Sequence, residues 1–154
     1  MHGLGFREAI NYSFTHLQSG DHLRLEAADP RRQLVNILNP LTEDQTAMRT
    51  SLVPGLLQTA QYNFARQIKN LKIFEIGKIF IGKDPQQLPN ETEMLAGLWT
   101  GSRHDASWHG QETPCDFYDI KGVVERFLQA LQIADVQFSH LPQNECAYTR
   151  PGYS

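Results

Sequence analysis

Asn39-Pro40-Leu41, then Met48-Arg49-Thr50-Ser51-Leu52-Val53-Pro54-Gly55-Leu56-Leu57, then Phe74-Glu75-Ile76-Gly77 is the stretch from which the fold can be read. Proline lacks a ladder donor and restricts the residue before it, so Asn39-Pro40 ends an extended segment. Ser51 is placed to cap a helix that carries Pro54 in its first turn, where an amide hydrogen has no intrahelical partner. Val53, Leu56, Leu57, Ala60, Phe64 and Ile68 recur at helical spacing and predict an apolar stripe. Leu71 to Ile81 then reads as a strand. Phe74 and Ile76 share a face, and Gly77 marks a β-bulge after which Ile79 and Ile81 return to that face.

Upstream, Gly3-Leu4-Gly5-Phe6-Arg7-Glu8 reads as a helix end turning into a strand, on which Ile10, Tyr12 and Phe14 alternate with polar residues and predict one buried face. Leu23 with Leu25, and Leu34-Val35-Asn36-Ile37-Leu38, predict two short strands joined by a turn at Asp29-Pro30-Arg31. Downstream, a polar loop from Lys83 to about Thr92 leads into a strand from Met94 to Gly101, completing a hairpin. Asp116 and Asp119 suit a helix N-terminus. Ile120, Val123, Val124, Phe127, Leu128 and Leu131 form the clearest helical stripe, and Val136 with Phe138 suggests a last strand. Strands outnumber helices and links are short, which predicts an α+β fold, an antiparallel sheet flanked by helices, as a single domain over residues 1–154.

Composition narrows the function classes. With 40% hydrophobic and 20% charged residues, the chain is of ordinary globular type rather than disordered or fibrous. No apolar run reaches the roughly 18 residues of a membrane span, and no signal peptide is recognisable, so a soluble cytoplasmic protein without a membrane partner is expected. A net charge of −3 withholds the broad positive field of most autonomous nucleic-acid binders, so any nucleic-acid contact must be local or shared with a partner. Cys115 and Cys146 are read as structural thiols.

Few constellations point to chemistry. His104, Asp105, His109 and Cys115 carry zinc donor atoms, but two histidines five apart on a loop match no strong zinc pattern, so no metal site is assigned. No nucleophile elbow or cysteine-protease signature surrounds any serine or cysteine. Gly3-Leu4-Gly5 lacks the third glycine and the strand context of a dinucleotide site, and there is no P-loop. Arg49, ahead of Thr50 and the Ser51 cap, is read as structural: it can bond helix-entry carbonyls, or a carboxylate such as Glu75, and hold helix against strand. Glu75, in an apolar strand, is read as internally paired. Gly122 is read as permitting close packing and Lys121 as solvated. No residue is assigned a catalytic role.

The ordered blocks resemble the synthetase-like core of the bacterial phenylalanyl-tRNA synthetase beta subunit. Gly5-Phe6-Arg7-Glu8 with Tyr12-Ser13-Phe14 is similar to its opening, and Asn39-Pro40 through Leu57 to its most specific segment. Phe74-Glu75-Ile76-Gly77-Lys78-Ile79-Phe80 and Asp116-Phe117-Tyr118-Asp119-Ile120-Lys121-Gly122 follow in the family's order. Pro151-Gly152 resembles the start of a further block, cut short, as in a module excised from a longer subunit.

The resemblance implies a catalytically degenerate class II aminoacyl-tRNA synthetase fold and a role in building the alpha–beta tetramer that joins phenylalanine to tRNA-Phe. Asn39, Pro40, Arg49, Thr50, Ser51, Pro54, Glu75, Gly77, Lys121 and Gly122 are then its structural motif residues, and Leu4 and Phe6 its interface candidates. The partners implied are the alpha subunit and, through the holoenzyme, tRNA-Phe; ATP and magnesium belong to the holoenzyme. The family's catalytic subunit closes the strand corresponding to Gly77–Phe80 with an arginine that grips ATP, whereas Ile81 stands here and offers no charge-assisted bond. The chain alone is therefore expected to be inactive. The alternatives are a self-contained adenylate former, a small hydrolase using the His104/His109 loop and an autonomous RNA-binding module.

Overall fold

The computed structural model describes residues 1–83, 87–104 and 112–139. His2–Leu4 form one 3₁₀ turn, which Gly5 ends at φ 81°, the left-handed conformation that glycine adopts without steric cost. Strand β1 (Arg7–Glu8) follows, then β2 (Phe14–Thr15), a single helical turn α1 (Ser19–His22), a 3₁₀ turn at Pro30–Arg32, and β3 (Ala47–Met48). Helix α2 covers Val53–Phe64, and two long strands, β4 (Leu71–Ile81) and β5 (Asn90–Thr100), precede helix α3 (Phe117–Ala130). The fold class is α+β, as expected.

One sheet has the order β1-β4-β5, and β2 pairs with β3 in a second. Lys72 stacks on Trp99 while Lys78 pairs with Glu91, so β4 and β5 run antiparallel, as a hairpin. The purely antiparallel sheet expected is corrected at β1, which pairs parallel to β4 with Arg7 opposite Ile73 and Glu8 opposite Phe74. A parallel pair needs a long crossover, and the intervening residues, α2 among them, supply it.

The chain divides into two compact units. The first comprises Met1–Ile10, Gly55–Glu75 and Ala96–Phe138; the second is built on Asn11–Pro54 and Ile76–Leu95. In the first, Phe6, Leu56, Ala60, Ile73 and Phe74 are buried, and Phe6 meets Trp99 edge-on at 5.9 Å between ring centroids. In the second, Leu23, Leu25, Ala47, Leu52 and Ile79 are buried.

Several expected elements take another form. Leu23 and Leu25 are buried in a turn after α1 in which Arg24 has φ 52°, so no strand forms there. The segment 34–38 makes only an isolated bridge, Asn36 to Ala47, because its partner β3 is two residues long. Val136 and Phe138 form no strand and stay about half exposed. Ile10, at 91% exposure, and Tyr12, at 75%, do not form a buried face. β5 begins four residues earlier than expected, and α2 stops at Phe64 rather than carrying Ile68.

That stop is a Schellman motif. Gln67 sits at φ 65°, its N–H donates to Phe64 O, and Ile68 N–H donates to Asn63 O. Ser51 caps the other end, its Oγ accepting from Val53 N at 3.2 Å. Around Gly77, where a bulge was expected, Ile76 is exposed rather than sharing a buried face with Phe74, while Ile79 is buried.

Candidate functional site

The motif block converges on Arg49, which lies just past β3 and is buried. Its backbone is held on both sides, Arg49 N donating to Ser13 O at 2.8 Å and Phe80 N donating to Arg49 O at 2.9 Å. Arg49 Nε then donates to Lys78 O at 2.9 Å and Nη1 to Asn11 O at 3.4 Å. These acceptors lie on a strand and a loop, not at the helix entry. A Cβ at Gly77 would collide with Nη2 of Arg49, so glycine there is the space through which the guanidinium passes. Thr50 Oγ1 donates to Arg31 O at 2.7 Å, and Pro54 lies in the first turn of α2, as its ring requires. Asn39 and Pro40 lie in an exposed bend, Glu75 is buried in β4, and β4 closes on the half-buried Ile81.

A second group holds the hairpin end to α3. Asp116 and Asp119 form a reciprocal capping box, as their placement predicted. Arg103 clamps both carboxylates, its Nε 2.8 Å from Asp119 and Nη2 3.1 Å from Asp116. The Asp119 carboxyl is held below the usual range first by the Asp116 backbone hydrogen bond and then by Arg103. Burial, with Asp119 nearby, pushes the free Cys115 thiol up, so it stays protonated at neutral pH and is a poor nucleophile.

Other expectations fare differently. His104 is exposed, while Asp105, Trp108, His109, Cys146, Pro151 and Gly152 lie outside the described residues. Gly122 does not mark close packing, because an added Cβ would meet nothing within 4 Å. Lys121 is not simply solvated: it pairs with Glu125 and sits 4.6 Å from the centroid of the Phe138 ring. Phe6, an interface candidate, is core rather than surface, leaving Leu4 half-exposed beside it. The Arg103 clamp and the acceptors of Arg49 were not anticipated. Backbone carbonyls carry no sequence signal, and an arginine 13 residues before a cap is invisible until the chain folds.

The sequence that builds this motif block, hairpin and capped helix has relatives. The family model described as the phenylalanyl tRNA synthetase beta chain CLM domain matches residues 1–153. The chain belongs to that family. A phenylalanine-tRNA ligase beta subunit of Syntrophus aciditrophicus is 46% identical over 136 residues, which is 88% of this chain and 17% of the relative. The beta subunit of Geobacter sulfurreducens is 41% identical over 90% of this chain and 17% of the relative. That of Staphylococcus epidermidis is 38% identical over 86% and 16%. This family member thus spans about a sixth of the length of these relatives. Among its described residues no helix is long and apolar enough to cross a membrane.

Proposed function

We propose that this chain is a non-catalytic, class II synthetase-like core of a phenylalanine-tRNA ligase beta subunit, which helps to assemble an alpha–beta complex that charges tRNA-Phe in the cytoplasm. The observation that carries this reading is the state of β4. The buried arginine that reaches it donates to the carbonyls of Lys78 and Asn11, and the strand ends on aliphatic Ile81. An ATP phosphate needs a free, charge-assisted donor, and these residues do not fit one. ATP and magnesium belong, in this reading, to the holoenzyme, and the chain contributes surface. In the first compact unit, Leu4 and the exposed Ile10 supply apolar area of the kind that partner subunits cover.

Co-expression with the cognate alpha subunit tests the proposal. The chain, carried in its full-length subunit, is expected to co-purify with alpha and to support phenylalanine-dependent pyrophosphate exchange that survives Arg49→Lys. Exchange by the isolated chain, abolished by changing its own residues, would sink the reading.

A further inference from the structure

Between Asp44 and Glu75 the sequence carries no carboxylate over thirty residues, although the chain as a whole is acidic. The four cations in that stretch have separate fates. Arg49 is buried in the motif block. Lys72 donates to Arg103 O at 3.0 Å and lies over the Trp99 ring at 4.0 Å. Arg66 and Lys69 remain on the surface at the C-terminal end of α2, in a run that is exposed from Phe64 to Asn70. Glu75, which closes the stretch, is buried.

Arg66 is held ready. Its guanidinium carbon lies 3.4 Å from the centroid of the Tyr62 ring, and Nη1 donates to Tyr62 O at 3.0 Å, which fixes the plane and leaves further donors outward. Tyr62 itself is 59% exposed. The negative end of the helix dipole would ordinarily repel an anion here. The Schellman bonds to Phe64 O and Asn63 O engage two of its terminal carbonyls and weaken that repulsion. Around the pair, Gln61 and Gln67 add exposed, uncharged hydrogen-bonding groups. An oriented guanidinium, a neighbouring ammonium, an aromatic face and neutral amides together suit a sugar-phosphate backbone better than an acidic peptide, for which stacking is no advantage.

We propose that Tyr62, Arg66 and Lys69 form a local contact surface for RNA backbone phosphates. With the function proposed above, on which this rests, the RNA is the tRNA of the holoenzyme. Such a patch supplies what net charge withholds, a local rather than a global attraction.

The test uses the assembled alpha–beta enzyme with Arg66→Gln and Lys69→Gln combined. KM for tRNA is expected to rise roughly fivefold, and the slope of log KM against log salt to fall by about 1.5, as two phosphate contacts predict. Amino-acid activation by pyrophosphate exchange should be unchanged, and Arg66→Lys with Lys69→Arg should restore most of the tRNA affinity. An unchanged KM and salt slope would overturn the proposal. Loss of alpha co-purification in the double variant would overturn it too, assigning the cations to protein docking. Failure of the unaltered subunit to assemble with alpha would instead sink the function it rests on.

Discussion

Gly77 lacks a side chain for a reason 28 residues away, at Arg49. Alanine elsewhere in a strand gains up to about 1 kcal/mol over glycine by restricting the unfolded chain. At Gly77 the sign reverses, because the new Cβ displaces the guanidinium and strands the carbonyls of Lys78 and Asn11. Gly77→Ala is expected to cost about 2 kcal/mol, seen as a lower urea midpoint at unchanged slope. Asp29 makes a different prediction. Its carboxyl is held at about 2 by the Arg31 side chain, against an ordinary 3.8. A depressed carboxylate stabilises the fold fully above pH 4, and that contribution is lost as the pH falls from 4 toward 2. The share is about 1 kcal/mol after allowance for solvent screening. Asp29→Asn keeps the cap on Arg31 N and should flatten the pH dependence of the urea midpoint in that window. Arg49 was expected to reach helix-entry carbonyls or a carboxylate such as Glu75, and its bonds to Lys78 O and Asn11 O run to distant backbone that no residue type announces.

At the scale of elements, legibility followed local signals. β4 was bounded correctly at both ends because eleven residues of strand-forming sequence lie between an asparagine and a glycine. α3 was legible through Asp116 and Asp119, whose box needs no tertiary partner. Asp116→Ala removes that cap and one partner of Arg103, and should lower stability by about 1–2 kcal/mol with loss of ellipticity in thermal melts. The short apolar runs at 34–38 and 136–138 were misread for a common reason. Strand propensity reports how well a side chain fits a pleated surface, and among the described residues neither run finds a partner strand long enough to provide one. The helical stripe of α3 was read correctly as periodicity. Periodicity does not report depth, and no residue of α3 is fully buried in this chain.

For the whole molecule, the α+β class was legible from the count and spacing of elements, whereas the mixed sheet was not. Whether β1 lies parallel or antiparallel to β4 depends on a pairing across 66 positions, for which no local residue carries a signal. Each compact unit is assembled from separated stretches, and β4 and β5 both pass from one unit into the other. No single cut between residues therefore yields either unit intact. The parallel β1–β4 pair also sets a timetable. At roughly 5–20 residues per second, a ribosome takes about 3–13 s to deliver Ile73 and Phe74 after Arg7 and Glu8. During that interval the nascent strand, followed by the apolar Ile10, Tyr12 and Phe14, has no native neighbour. Early residues of this stretch thus wait for a partner strand made much later, and this window is when a chaperone has most to bind.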